Sequence, residues 1–194
     1  MNTTPPTIAV IAGSTREGRF SDQAAAWVAA ELVKHGATAE VIDLRDYDMP
    51  FFNESVSPAM LTTPYTHEAV VRFTAKIKSA DAFVMVAPEY NHSTTAVLKN
   101  ALDWVYREWN QKPVAFVSYG SVSGSRAVEH LRLIAVELQM APIRNAVHIS
   151  GDKYFGMRGG SMTAAELFAS LQKPVDGMIE QLLWWTHALK AARG

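Results

Sequence analysis

Short apolar runs and longer amphipathic segments alternate along this chain. The runs at residues 8–12, 39–44, 82–87, 113–118 and 143–149 have the length of strands. The first and third are unbroken by charge, as strands buried on both faces of a parallel sheet are. Arg144 and Asn145 interrupt the fifth, which predicts a sheet edge. Between the runs, apolar residues recur at helical spacing: Val70, Phe73 and Ile77; Val97, Ala101 and Trp104; Val128, Leu131, Ala135 and Leu138. These patterns predict helices over about 65–79, 96–107 and up to about Met140. An earlier helix starts near Ser21 or Asp22, either of which suits a cap. The segment 163–192 is helical, with Pro174 splitting or bending it, and 151–160 is irregular.

Five strands alternating with helices predict a doubly wound α/β domain around a five-stranded parallel sheet. In the strand order 2-1-3-4-5, strands one, three and four are neighbours, and the loops after them converge where such sheets bind ligands. The stretch 44–64 is long for a loop and holds Met49, Phe51 and Phe52 among three prolines. Those aromatics either cover a ligand or pack on the flank of the domain.

Composition narrows the function. A chain of 194 residues with 48% hydrophobic content has enough apolar material for one domain spanning 1–194, with 1–6 expected to be flexible. Eighteen Lys+Arg against 19 Asp+Glu argue against a nucleic-acid partner. The absence of cysteine excludes disulfides, thiol nucleophiles and Cys-bound metals. No run is long enough to span a membrane and the N-terminus has no signal-peptide pattern, so a cytoplasmic location is expected. The six histidines show no metal-ligand spacing, and no metal is expected.

The loop after the first run, Gly13-Ser14-Thr15-Arg16-Glu17-Gly18-Arg19, joins a strand to a helix and offers hydroxyls, guanidinium groups and free backbone N–H groups to an anion. Gly13 and Gly18 have Walker A spacing. Arg19 and Phe20 replace the lysine and hydroxyl of that motif, which argues against nucleotide hydrolysis. The middle glycine of a dinucleotide fingerprint is absent as well. What remains suits a terminal phosphomonoester. The loop after the third run, Pro88-Glu89-Tyr90-Asn91-His92-Ser93, suits the edge of a flat hydrogen-bonding ring. In Gly120-Ser121-Val122-Ser123-Gly124, valine occupies the nucleophile position of a hydrolase elbow. Trp104 and Leu102, at helical spacing, read as core or interface residues.

The run PEYNHSTTAVLKNALDW (88–104) resembles the signature of the flavodoxin-like NAD(P)H-dependent FMN reductase family. AGSTR (12–16) precedes it and KPVAFVSYGSVSG (112–124) follows it in the family's order. The resemblance implies a flavodoxin-like fold, FMN as cofactor and NAD(P)H as co-substrate. It implies hydride transfer through the flavin to a flavin, quinone, azo compound or metal ion, in a homodimer or homotetramer. Carried over, Ser14, Thr15, Arg16 and the turn through Arg19 to Ser21 would bind the FMN phosphate. Pro88, Glu89, Tyr90 and Asn91 would line the ring, largely through backbone groups, and Ser118, Tyr119, Gly120 and Ser121 would form its other wall. No catalytic side chain is implied. A flavodoxin-type electron carrier is the alternative, although such proteins tend to be strongly acidic. Four positions depart from the family pattern: Arg19 replaces a common serine, Thr95-Ala96 replaces proline and glycine, and Ser121 replaces a second glycine. A side chain at Ser121 could crowd the flavin or force a different loop conformation. Residues 49–53 and 151–160 are expected at the mouth of the pocket.

Overall fold

The computed structural model describes residues 4–193. Strands β1 (Thr7–Ala12), β2 (Thr38–Asp43), β3 (Ala82–Pro88) and β4 (Pro113–Tyr119) are parallel and lie in the order β2-β1-β3-β4. The fifth position is divided. β5 (Ala141–Pro142) pairs with the start of β4 and β6 (Val147–Ile149) with its end, and the chain leaves the sheet between them at Arg144 and Asn145. The predicted 2-1-3-4-5 order therefore holds, with the single fifth strand corrected to two short pieces.

Alternation along the strands builds two cores. Ile8, Val10, Val84, Val86, Ala115 and Val117 face one side, beneath helices α1 (Ser21–Lys34) and α7 (Gln172–Arg193). Ala9, Ile11, Phe83, Met85, Val114 and Phe116 face the other, beneath α2 (Glu68–Ser79), α3 (Ala96–Trp104) and α4 (Ser125–Glu137). All seven residues of β3 and of β4 are buried, which is why they read as continuous apolar runs. β2 is the partly exposed edge.

Several local expectations change. The region 151–160 is not irregular: Gly151–Arg158 forms a helix, α5. Pro174 does not split the last helix. The break falls between α6 (Ala164–Ala169) and α7, which leaves Pro174 in the first turn of α7, where its missing N–H costs nothing. Neither Ser21 nor Asp22 caps α1. The N-cap is Phe20, without a side-chain bond, because that ring is buried against Tyr119, Tyr154 and Phe168 and sets where the chain enters the helix. Residues 1–3 of the expected flexible segment lie outside the described residues. Pro6 is buried, and its carbonyl accepts from Thr38 N–H at 2.9 Å, which ties the strand entrance to β2.

Candidate cofactor site

The loops after β1, β3 and β4 meet as the topology requires, joined by specific bonds. Gly13 N–H donates to Val86 O at 2.9 Å, and Thr95 Oγ1 donates to Gly13 O at 2.5 Å. A Cβ on Gly13 would lie 2.7 Å from Val86 O, so only glycine permits this approach of the first loop to β3. Ser14 Oγ and Tyr90 Oη share a hydrogen bond of 2.9 Å. Glu89 N–H donates to Tyr119 O at 3.0 Å, joining the second loop to the third. Thr95, a departure from the family pattern, is also the N-cap of α3, accepting from Leu98 N–H.

The second loop is a tight hairpin. Tyr90 and Ser93 exchange two backbone hydrogen bonds around Asn91 and His92, whose φ angles of 48° and 75° are those of a type I′ turn. The Glu89 carboxylate is buried and committed to Arg126: Arg126 Nε donates to it at 2.6 Å, and the backbone N–H of Arg126 donates at 3.3 Å. Any contact Glu89 makes with a ring is through its backbone. In the third loop, Gly120 takes φ of 151°, and a Cβ there would press on Glu89 Cβ at 3.2 Å. Ser121 does not have positive φ and is exposed, so its side chain forces no strained loop conformation. Ser118 Oγ is engaged with Ser123 O and His148 Nδ1, each at 2.8 Å. Tyr119 is buried edge-on to Phe20, and burial pushes its phenol well up.

Beside the first loop opens a cleft of about 420 Å³, within the range of small-molecule sites. Ser14, Thr15, Arg16, Tyr90 and Thr95 line it together with Met49, Phe51, Val97 and Asn100. Of the residues singled out in the sequence, Ser14, Thr15, Arg16 and Tyr90 thus come together on the cleft. Ser21, Pro88, Glu89, Asn91 and the stretch 118–121 lie outside its lining. Of the two segments expected at the mouth, 49–53 contributes Met49 and Phe51, the latter 79% exposed, and 151–160 contributes no residue to the lining. Phe52 turns the other way and packs on Trp104, whose Nε1 donates to Pro50 O at 2.7 Å. Of the two aromatics of the long loop, Phe51 thus lines the cleft and Phe52 packs on the flank of the domain. Asn100 is a lining residue that helical spacing did not distinguish: it accepts from Phe52 N–H and donates to Pro50 O, both at 2.9 Å.

Arg19 is not a second contact for a phosphate. Its side chain is 2% exposed; Nη2 lies 2.5 Å from Asp43 Oδ2, Nε lies 2.5 Å from Asp22 Oδ1, and Nη1 donates to Ser14 O. Burial alone would raise the Asp43 carboxyl. The hydrogen bonds from Arg19 and from Arg45 N–H, with their charges, outweigh it and hold that carboxyl below the usual carboxylate range. Arg16 makes no ion pair among the described residues, and its side chain is free for a ligand.

The sequence matches the model of the NADPH-dependent FMN reductase family over residues 6–153. The chain belongs to that family. It is similar to an NAD(P)H-dependent FMN reductase of Schizosaccharomyces pombe, 38% identical over 152 residues and 76% of each chain. An NAD(P)H:quinone oxidoreductase of Solanum tuberosum is 37% identical over 139 residues, 69% of each chain. Among solved structures, the flavoenzyme NAD(P)H:(acceptor) oxidoreductase FerB of Paracoccus denitrificans superimposes with a TM-score of 0.68 at 25% identity, covering 91% of this chain and 97% of that one. The family match places this FMN reductase relative among oxidoreductases and ends inside α5, so α6 and α7 lie beyond it.

The residues present fit an FMN group. The N–H groups of Thr15, Glu17 and Gly18 meet no acceptor among the described residues. Ser21 Oγ, beside the Tyr119 phenol, is buried without a hydrogen-bond partner of ordinary geometry. Unmet donors at the head of a helix, an unpaired arginine and an apolar cleft next to both are what a phosphate-tailed ring requires.

Proposed function

We propose that this protein is an FMN-dependent NAD(P)H oxidoreductase whose acceptor is a flat, loosely recognised molecule, with a quinone or free flavin foremost. One observation carries the reading: Thr15, with its free N–H, and the unpaired Arg16 line a cleft together with Met49 and Phe51. Bound FMN supplies the hydride chemistry. The protein's part is to bind, orient and exclude water. Thr15, Arg16 and Glu17 present donors to the phosphate, and the 88–91 and 118–121 backbones present polar groups to the ring edge. Met49, Phe51 and Val97 give an apolar surface to a planar second substrate. The relatives named quinone oxidoreductases support the quinone reading. Dependence on NAD(P)H supports a cytoplasmic location, and no described helix is long and apolar enough to cross a membrane. Leu133 and Val136, 71% and 63% exposed on α4, support a homo-oligomer, which sedimentation would test.

The test is a visible spectrum of the purified protein with and without added FMN, followed by NAD(P)H oxidation with a quinone. A flavin spectrum and quinone-dependent turnover are expected; no flavin binding at all would remove the reading. Arg16→Ala should weaken FMN binding by about 1.5–3 kcal/mol, the worth of a charge-assisted hydrogen bond.

A further inference from the structure

Three guanidinium groups, one from the end of the first loop and two from distant parts of the chain, converge on the backbone of that loop, and they meet carbonyl oxygens there. Arg19 Nη1 donates to Ser14 O. Arg45, just past β2, donates to Thr15 O from Nε and Nη2 at 3.2 Å each, and to Arg16 O from Nη2 at 2.7 Å. Arg158, the last residue of α5, donates to Gly18 O from Nη1 at 2.7 Å. Four of the five carbonyls from Ser14 to Gly18 are therefore held by arginine.

The peptide unit is planar and trans, so a carbonyl and the N–H that follows it point in opposite directions. Each carbonyl held in this way, on Ser14, Thr15, Arg16 and Gly18, points the N–H of the next residue away from the guanidinium that holds it; of those N–H groups, that of Arg16 donates to Ser14 Oγ at 3.3 Å. Two of these, on Thr15 and Glu17, are among the donors that meet no acceptor. Gly18, at φ of 62° with open space around its Cβ position, is the flexible point where such a loop would otherwise flip and present carbonyl lone pairs to an anion. A guanidinium has donors and no acceptor, so it stabilises only the orientation with carbonyls facing it.

We infer that Arg45 and Arg158 are positioning residues for the phosphate of the flavin: they hold the loop's carbonyls away from the anion and so leave the following N–H groups to meet it. Arg19 completes the clamp from inside the fold. Arg45 and Arg158 are exposed, so their bonds add little to global stability, and their effect falls on the ligand. Arg158 comes from beyond the family-matched residues, which gives α5 a role in cofactor binding. The inference rests on the proposed phosphate site.

The experiment titrates the full-length, flavin-free protein with FMN and separately with riboflavin, which has the same ring and no phosphate, following the quenching of flavin fluorescence. Wild type should bind FMN more tightly than riboflavin. Arg45→Ala and Arg158→Ala should each lose about tenfold in FMN affinity, with riboflavin affinity and thermal midpoint unchanged. Arg45→Lys, which keeps the charge but cannot span two carbonyls, should not restore the loss. A wild type that binds both flavins equally overturns the phosphate reading and the clamp with it. A wild type selective for FMN overturns the clamp alone if the alanine variants keep full FMN affinity, if they lose FMN and riboflavin together, or if Arg45→Lys restores binding completely.

Discussion

In the loop after β3, the backbone of Tyr90 closes on Ser93 twice and two residues carry the positive φ that the closure needs. In the loop after β1, the backbone is held by guanidinium groups arriving from positions 19, 45 and 158. The two loops touch through Gly13, Thr95 and the Ser14–Tyr90 bond, yet one is framed locally and the other mostly from a distance. A ring edge needs a rigid, neutral row of backbone groups, which a two-residue turn provides at short range. A phosphate needs donors without competing acceptors. A short loop cannot hide its own carbonyls, so other segments must take them.

The largest separation between the loops should come from Arg19→Met. It removes the partner of Asp43, whose side chain is 30% exposed, and releases Ser14 O. The expected loss is on the order of 2–3 kcal/mol in urea unfolding, less than for a fully buried pair. A loss below about 0.5 kcal/mol would place Arg19 among ordinary surface arginines. The second loop should respond to backbone conformation instead. His92→Val puts a β-branched residue at φ of 75° and should cost about 1–2 kcal/mol, while His92→Gly should lie near zero, its entropy offset by relief of strain. Equal stabilities for the two variants would mean that the turn has no such preference.

Acid gives the finest comparison. Asp43 ionises below the usual carboxylate range in the fold, so its pair with Arg19 stabilises the protein above the unfolded-state value near pH 4 and fades as pH falls through the folded-state value. The stability gap between wild type and Asp43→Asn should therefore be full at neutral pH and close progressively below about pH 4. The hairpin's two bonds contain no ionisable group, so the amides of Tyr90 and Ser93 should keep their exchange protection over the same range. A gap that stays constant from pH 7 to pH 3 would assign the effect of Asp43→Asn to something other than the ion pair.

How far these loops could be read in advance follows from the same contrast. The positions of all three loops were legible, because apolar runs bury on both faces and end where the chain must turn. Ser14, Thr15, Arg16 and Tyr90, singled out through the family resemblance, lie in those loops and line the cleft. The role of Arg19 was not, since its partner Asp43 is 24 residues away at the end of another strand. Phe20 as an apolar cap was hidden as well: a side chain's preference for capping is local, whereas burial among Tyr119, Tyr154 and Phe168 is not. The α5 helix escaped because no residue in it is buried, leaving no amphipathic stripe to detect.

Sequence by itself determined the parallel sheet and where its loops lie, because strand burial and right-handed crossovers leave few other arrangements, and the chain's resemblance to a flavodoxin-like family supplied the strand order. Gly13 belongs with these, as a residue whose spacing marks the first turn. Tertiary structure alone decided which arginine lines the cleft and which ones face the backbone. All four guanidiniums of the region carry the same charge and the same donors. Only the fold, by bringing the turn after β2 and the end of α5 to the first loop and burying the loop's own last residue, assigns Arg45, Arg158 and Arg19 to carbonyls and leaves Arg16 at the cleft.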